Sequence, residues 1–406
     1  MSTGPSRARA TGRIATAVLA VAIYGPAIAR SGLRTDLRVH LRFAEDLALT
    51  GSSPAPYSLF QQLTIVVRGL IPFHLVGEVV PTAASRPNTW VISGMVVLLL
   101  AVAITADLVH VRLARAVGAG HRRVAPPVIA TAGTLGLLVA GPITALTWSR
   151  HQLLIGYVTP TVFHNPSYLL LRPLALALFW VVVDRLDRGA GLRGTALTFA
   201  LSIVVLQAKP SYTICLLPAI VLYAAYRRAR REPVALRYLA LGFIVPSVAG
   251  LLVQAQLSRG QGTLQIDPLQ TIRLLFASRG LSPWMALPML LASIAFPLVV
   301  AIAYRSEVRR TPSAVLAWLT FGAGIGLVAI LAIHGRTDHG DLLWGAEAAA
   351  FVLLAESIRL VIETWGRRAG GGIDRREVVV AVVLAAQVGC GLAFWLLEVA
   401  SPTAWW

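Results

Sequence analysis

Residues 90–111 read WVISGMVVLLLAVAITADLVHV, and this stretch decides the fold class of the chain. It contains one charged residue, Asp107. As a helix it is long enough to cross the bilayer core of roughly 30 Å, which takes about 20 residues. Arg112 follows at once. An apolar run of this length that ends in arginine is typical of a transmembrane helix.

The same pattern recurs along the chain and predicts about 11 transmembrane helices. Charged residues make up only 13% of the 406 residues, against about 25% in soluble proteins. This composition excludes a cytosolic enzyme, a disordered protein and a DNA-binding factor. We therefore expect an all-α polytopic membrane protein with a single transmembrane domain over residues 1–406. The predicted spans are 13–30, 90–111, 125–147, 167–184, 194–207, 211–226, 236–256, 284–304, 312–333, 342–364 and 377–400.

The placement of the basic residues predicts the orientation in the membrane. With the N-terminus inside, every predicted cytoplasmic piece is rich in arginine, and together these pieces hold most of the 36 basic residues. Because cytoplasmic loops are enriched in Lys and Arg, we expect a cytoplasmic N-terminus in the cytoplasmic membrane. The net charge of +18 then reflects topology and requires no nucleic-acid partner. Residues 27–29, Ala-Ile-Ala, resemble a signal-peptide cleavage site, but we expect the first span to be retained.

Three longer pieces lie between the predicted spans and fall outside the cytoplasm in this orientation. They are residues 31–89, 148–166 and 257–283. The first of them is expected to hold amphipathic surface helices, with a surface or re-entrant helix within 58–80 rather than a further span. The last is interpreted as a lid or a lipid-facing helix. Any chemistry is therefore expected on the outer face.

The first outer loop places an acid and an imidazole four residues apart. In TDLRVHLRFAED (35–46), a helix carries Asp36 and His40 on one face. Leu37, Leu41 and Ala44 form an apolar stripe, which predicts a helix lying along the membrane surface. An acid and an imidazole on one face can accept and relay a proton. The alternative is a solvated helix with local ion pairs.

The second outer loop ends in His164-Asn165-Pro166-Ser167, just before a predicted span. Asn165 or Ser167 can cap that helix, with Pro166 in its first turn. A helix start directs backbone N–H groups and a positive dipole end outward, which suits a phosphate. Arg172 lies within two turns of that end, where it requires an anion or a water-filled cavity. A plain cap beside a snorkelling arginine is the alternative.

Lys209 is the only lysine in the sequence. It stands in QAKPS (207–211), at the outer junction of the fifth and sixth predicted spans. This junction is either a tight turn between two tilted helices or a break in one helix. A lysine there predicts a point charge that binds phosphate. A lysine that merely snorkels to the interface is the alternative.

The stretch HGRTDHGD (334–341) is densely polar for this chain and lies between two predicted spans. His334, Arg336 and His339 are candidates for holding a phosphate. His and Asp are also metal ligands, but their spacing here is not diagnostic. A divalent metal is therefore not favoured. Asp341 can instead act as a plain helix cap.

Over about its first 230 residues the chain resembles the GT-C superfamily of integral membrane glycosyltransferases. The resemblance rests on an acid soon after the first span, here Asp36, and on FHNPSYLLLRP (163–173), which is similar to a motif of uncharacterised bacterial members. Residues 231–406 are expected to form more variable C-terminal helices. Many relatives carry two adjacent acids in the first loop, whereas Asp36 stands between Thr35 and Leu37. This departure argues against a metal-dependent mechanism.

The resemblance implies transfer of a sugar from a polyprenyl-phosphate donor to a glycolipid or cell-envelope glycan on the extracytoplasmic face. Asp36 is the implied general base, with His40 assisting. The donor, the acceptor and membrane lipids are the implied partners, and no cofactor is implied. The residues expected to bind the phosphate are His164, Asn165, Arg172, Lys209, His334, Arg336 and His339.

Three other functions fit parts of this pattern. A transporter or flippase of lipid-linked glycans would use the same basic outer residues, but it needs ionisable groups near the bilayer midplane. The predicted spans are almost purely apolar there. A polymerase or ligase of lipid-linked glycans would use outer arginines and a histidine. A purely structural membrane protein would leave the outer concentration of Asp, His and Lys without a role.

Overall fold

The structure is a computed structural model in which nearly every described segment is helical, as predicted. A helix occupies each of the predicted spans. The described residues are 5–30, 35–53, 57–71, 89–118, 126–150, 153, 156–258, 263–334, 342–367 and 374–401.

The helices of the first half are named in chain order. They are α1 (Pro5–Arg30), α2 (Asp36–Thr50), α3 (Leu59–Leu70), α4 (Thr89–Gly118), α5 (Pro126–Val139), α6 (Pro166–Asp184), α7 (Leu192–Ala208) and α8 (Ser211–Ala229). Two 3₁₀ turns, Thr144–Leu146 and Trp148–Arg150, lie between α5 and α6.

The second half adds a two-stranded ribbon to the helices. In chain order its elements are α9 (Leu236–Leu257, with a π-helical turn at Ala240–Ile244), β1 (Thr263–Ile266), α10 (Gln270–Ala277), a 3₁₀ turn (Pro283–Met285), α11 (Ala286–Ser293), α12 (Ala295–Ala303), α13 (Arg305–Arg310), α14 (Pro312–Ile330), β2 (Leu331–His334), α15 (Leu343–Arg367) and α16 (Arg375–Ala400).

Among the described residues, 7 helices are long and apolar enough to cross a membrane. The segment that contains α11 and α12 is bent by 62° and makes 8 if it is one span. The chain is therefore a multi-pass, helical membrane protein. The seven spans are Ala10–Arg30, Thr89–Val117, Pro126–Leu146, Pro166–Asp184, Leu236–Leu257, Pro312–Ile330 and Arg375–Ala400.

Three helices coincide with predicted spans but fall short of this standard, so the count of eleven stays a prediction. α7 has 17 residues and is too short. α8 has 19 residues but ends in Arg227 and Arg228. α15 has 25 residues, with charged side chains along its length. Each of the three packs within the bundle, against other helices.

α15 lies at the centre of the bundle. It packs against α4, α6, α8 and α14, and nearly every side chain from Gly345 to Ile362 is buried. A helix that is buried on all sides needs no polar face. Its few polar side chains are consequently directed at other parts of the protein.

Arg359 falls inside the predicted span 342–364, although the arginine count that predicts the orientation assigns it to a cytoplasmic piece. The structure places Arg359 within α15, which continues to Arg367, so its assignment to a loop is wrong. Arg359 is buried and forms ion pairs with Glu356, at 2.8 Å, and with Glu363. Glu356 also accepts a hydrogen bond from Trp180 Nε1 at 2.7 Å. The expectation of almost purely apolar spans is therefore also wrong for this helix.

The ribbon of β1 and β2 was not predicted. The strands are antiparallel and pair Thr263 with His334 and Ile266 with Leu331. The predicted span 312–333 is correspondingly too long, since α14 ends at Ile330. The ribbon joins the segment before α10 to the end of α14.

The segment 31–89, predicted to be the first outer loop, has the predicted helical character where it is described. α2 and α3 pack on each other and on α4. α3 has 12 residues, about 18 Å of helix, which is too short to cross a bilayer. This supports the surface or re-entrant helix predicted within 58–80. Residues 72–88 lie outside the described part of the chain.

Candidate functional site

α2 presents Asp36 and His40 on the face that packs into the protein. Leu37, Leu41 and Ala44 are buried, as the predicted apolar stripe requires. Asp36 occupies the first helical turn, where a carboxylate interacts favourably with the helix dipole. Asp36 is half-buried and His40 is buried, one turn further along. The two side chains thus share a face, as predicted.

Asn165 caps α6, as predicted, and also binds Asp36. Its Oδ1 accepts hydrogen bonds from the backbone N–H of Tyr168 and from the hydroxyl of Ser167, both at 2.9 Å. Its Nδ2 donates to Asp36 Oδ2 at 2.8 Å. Among the described residues nothing donates to Asp36 Oδ1. Asn165 therefore fixes one carboxylate oxygen, and the other is left without a hydrogen-bond donor in the described part of the chain.

His40 is held by Gln61 of α3, whose Nε2 lies 2.9 Å from His40 Nδ1. Because the Gln61 amide donates, Nδ1 is the unprotonated nitrogen and Nε2 carries the proton. Burial lowers the pKa of His40 to about 4, and the charge of Lys209 acts in the same direction, whereas Asp36 opposes it. At neutral pH His40 is therefore an uncharged hydrogen-bonding group.

His164 lies in the loop before α6, within electrostatic reach of Asp36. Its ring meets that of Trp344 at a centroid distance of 6.1 Å. Burial lowers the pKa of His164 to about 4; Asp36 raises it and Lys209 lowers it. Asp36 and Lys209 therefore both influence the pKa values of His40 and His164.

Lys209 lies in the break between α7 and α8, which are two separate helices. Lys209 is only 6% exposed. Nζ lies 4.4 Å from the ring centroid of Trp344 and 5.6 Å from that of Tyr57, and it donates to Ser167 Oγ at 3.4 Å. No described carboxylate pairs with it. A buried cation normally requires a counter-charge. The described contacts of Lys209 are aromatic rings and a hydroxyl group, so an anionic ligand could supply that charge.

Five predicted residues therefore meet in one place. Ser167 links Asn165 to Lys209, and Asn165 binds Asp36. Three parts of the chain contribute: α2, the start of α6 and the α7–α8 break. We refer to Asp36, His40, His164, Asn165 and Lys209 as the Asp36 cluster.

No protein-family model and no curated protein matches the chain. A carboxylate with one oxygen held and one available can remove a proton from a hydroxyl group. A buried ammonium close by can stabilise the negative charge of a leaving phosphate.

Arg172 forms its hydrogen bonds with neutral groups of α1 and of the loop before α6. Its guanidinium donates to Tyr24 Oη at 2.7 Å and to the carbonyl oxygen of Pro160 at 2.8 Å. It also stacks on Tyr168 at 4.9 Å. These contacts fasten the loop before α6 to α1. Among the described residues no carboxylate pairs with Arg172, and phosphate binding by Arg172 stays a prediction.

The remaining predicted site residues lie outside the described part of the chain. They are Arg336, His339 and the side chain of His334. The described residues contain no group of three or more His, Cys, Asp or Glu that could hold a metal ion.

Two polar residues beside the cluster were missed in the sequence. Gln61 supports His40, and its contact crosses from α2 to α3, which no spacing rule predicts. Glu347 lies in α15, near Lys209 and Arg172. The sequence does contain a signal for Glu347, because an acidic residue within an apolar segment of span length is by default a candidate functional residue.

The two buried imidazoles make stability depend on pH. Because the pKa values of His40 and His164 in the folded protein are about 4, below the usual 6.5, the unfolded chain binds more protons between those values. Their contribution is complete above about pH 6.5 and is lost as the pH falls towards 4. We expect the melting temperature in detergent to fall over this window. The double variant His40→Asn/His164→Asn should show a shallower fall, and an equally steep one would contradict this account.

Proposed function

We propose that the protein is an integral membrane glycosyltransferase of the GT-C type. It transfers a sugar from a polyprenyl-phosphate donor to a lipid or cell-envelope glycan acceptor on the extracytoplasmic face of the cytoplasmic membrane. The observation that carries the proposal is the hydrogen bond from Asn165 to Asp36, which holds the carboxylate beside the buried ammonium of Lys209. A base and a phosphate-binding cation are the two groups that this reaction needs.

The reaction is a single displacement at the anomeric carbon. Asp36 Oδ1 removes the proton of the acceptor hydroxyl as its oxygen attacks that carbon. The new carbon–oxygen bond forms while the bond to the phosphate oxygen breaks, and the polyprenyl phosphate leaves with the electron pair. Lys209 stabilises the charge that develops on it. A single displacement of this kind inverts the configuration.

The two histidines act as neutral groups in this scheme. A pKa of about 4 means that neither carries a charge at neutral pH, so they bind by hydrogen bonds. Asp36 is the only carboxylate in the cluster. Its Oδ1 has no hydrogen-bond donor among the described residues, whereas His40 Nδ1 already accepts from Gln61, and this difference supports proton removal by the acid.

The location of the site supports a lipid-linked donor. In the predicted orientation, the first two loops and the α7–α8 break face the outside, where nucleotide sugars are not supplied. A donor anchored by a polyprenyl chain reaches the site from the surrounding membrane. The exposed apolar side chains on the helices of the bundle suit contact with such chains.

The direct test is transfer of radiolabelled sugar by the purified full-length protein. Proteoliposomes should contain polyprenyl-phosphate glucose, mannose or arabinose as donor and a bacterial lipid extract as acceptor. We expect labelled lipid or glycan to form with one donor, together with an equal amount of free polyprenyl phosphate. The proposal would be contradicted if the protein bound none of these donors and transferred sugar from none of them.

A flippase is the second candidate, because Glu347 is a buried acid within a segment of span length. The same proteoliposomes distinguish the two functions. A flippase moves the intact donor from the inner to the outer leaflet and forms no new glycosidic bond. Movement of the label without release of polyprenyl phosphate would favour this candidate.

A further inference from the structure

Glu347 is a buried acid near the start of the central helix, and it has no ion pair in the described part of the chain. It is 6% exposed, and no described cation pairs with it. Its Oε2 is buried and has no hydrogen-bond partner among the described residues. The carboxylate of Glu356, further along the same helix, instead accepts from Trp180, Ser313 and Arg359. Glu347 therefore lacks the partners that stabilise a buried negative charge.

Two cations act on Glu347 through space. Trp344, three residues before Glu347, lies 4.4 Å from the ammonium of Lys209. Phe351, four residues after it, lies 5.1 Å from the guanidinium of Arg172. These spacings place both rings on the face of α15 that carries Glu347. Both cations favour the charged form of the carboxyl group.

The other helices around α15 bring few charges to this carboxyl group. α5, α12 and α14 pack against α15 and contain no charged residue. In α4, Arg112 acts on Glu356 instead, and the residue before α13 hydrogen-bonds Trp365, near the far end of α15. α8 brings the thiol of Cys215 close to the start of α15, and α6 adds the phenol of Tyr168. Lys209 and Arg172 are therefore the cations that control the charge of this acid.

Burial and these cations have opposite effects on Glu347. Burial raises the pKa of Glu347 to about 8, although the backbone N–H of Thr159 and the charges of Lys209 and Arg172 lower it. An anion bound to Lys209 would cancel much of one of these positive charges. The carboxylate form of Glu347 would then lose part of its stabilisation, and the protonated form would be favoured further.

We propose that Glu347 is a proton-binding site linked to an anion site at Lys209, so that Glu347 takes up a proton when an anionic donor binds. The inference rests on the proposed function for one point, that Lys209 binds the donor phosphate. The proton comes from solvent and adds to the carboxylate, and no bond of the donor changes. Because the coupling is electrostatic, it requires no contact between Glu347 and the donor.

The experiment counts the protons taken up when polyprenyl-phosphate glucose binds to the full-length protein in detergent. The mannose or arabinose donor replaces this probe if only that one binds. The probe is a phosphodiester, which lacks the second ionisable proton of a phosphate monoester with its pKa of about 6, so any proton taken up belongs to the protein. Calorimetric titrations in two buffers of different ionisation enthalpy give the number of protons.

We expect wild type to take up about 0.4 proton per bound probe at about pH 8, if the anion favours protonation of Glu347 by about tenfold. At about pH 6 uptake should be almost zero, because the group is already protonated before the probe binds. Affinity should consequently fall by about fivefold between about pH 6 and about pH 9.

Glu347→Gln is neutral at every pH, like the protonated acid. It should abolish the uptake at about pH 8 and bind the probe as tightly there as wild type does at about pH 6, so the fall in affinity should be largely absent. Glu45→Gln, at an exposed acid of α2, is the matched control. It should keep the uptake and the pH dependence of wild type.

A measurement on wild type covers the case in which Glu347→Gln does not fold. The infrared band of a protonated carboxyl group should grow when the probe is added at about pH 8, and an unchanged band would overturn the inference. Uptake that persists in folded Glu347→Gln would assign the proton to another group, such as Asp36, and would also overturn it. In both cases the probe binds and the proposed function stands. If wild type binds none of the three donors, the proposed function itself fails.

Discussion

Asp36→Asn is expected to lower kcat for sugar transfer by about a thousandfold, within the range of about 10² to 10⁴ that general bases contribute. An asparagine has nearly the same shape and can still accept the hydrogen bond from Asn165 with its side-chain oxygen. It cannot take the proton of the acceptor hydroxyl. The affinity for the donor should therefore change little while turnover is lost. The measurement is single-turnover transfer of labelled sugar in proteoliposomes, beside equilibrium binding of the donor.

Asp46→Asn supplies the matched control for this experiment. Asp46 belongs to the same helix, α2, but is exposed, so removal of its charge should leave kcat within about twofold. A folded Asp36→Asn protein that binds donor and transfers sugar at the wild-type rate would show that Asp36 is not the base.

Lys209→Met is expected to raise KM for the donor by about tenfold to a hundredfold, which corresponds to the loss of a charge-assisted hydrogen bond to phosphate. The methionine fills a similar volume but carries no charge. Stability should respond differently, because the ammonium is buried without a carboxylate partner in the described part of the chain. Removing it relieves a desolvation cost that only the ligand offsets. The melting temperature of the ligand-free protein should therefore not fall, while its increase on donor addition should disappear.

Arg228→Met makes the same charge change at the exposed end of α8. It should leave KM for the donor and the melting temperature nearly unchanged. A Lys209→Met protein that keeps wild-type KM and is still stabilised by the donor would place the phosphate elsewhere.

The sequence allowed the residues of the Asp36 cluster to be named because each has a strong local signal. Asp36 and His40 have the spacing of one helical turn, Asn165 precedes a proline at a helix start, and Lys209 is the only lysine. Their positions could be predicted from neighbours in the sequence. The contact between His40 and Gln61 could not, since it depends on how α2 and α3 pack.

The spans were predictable from hydropathy wherever a helix faces lipid. The central position of α15 was not, because hydropathy predicts a span at 342–364 but does not show which helices surround it. Only the packing reveals that Glu356 and Arg359 satisfy each other inside the bundle. The pairing of β1 with β2 could not be predicted either, because each strand has only four residues and the two lie far apart in the sequence.

The central position of α15 has a consequence for biosynthesis. Helices α1 to α14 emerge from the ribosome before α15, yet α4, α6, α8 and α14 all pack against it. Until it arrives, Trp180 and Ser313 lack the carboxylate of Glu356, and Lys209 lacks the ring of Trp344. The contacts of these helices with α15 therefore form late in synthesis. The Asp36 cluster acquires its contact with Trp344 only after α15 has been made.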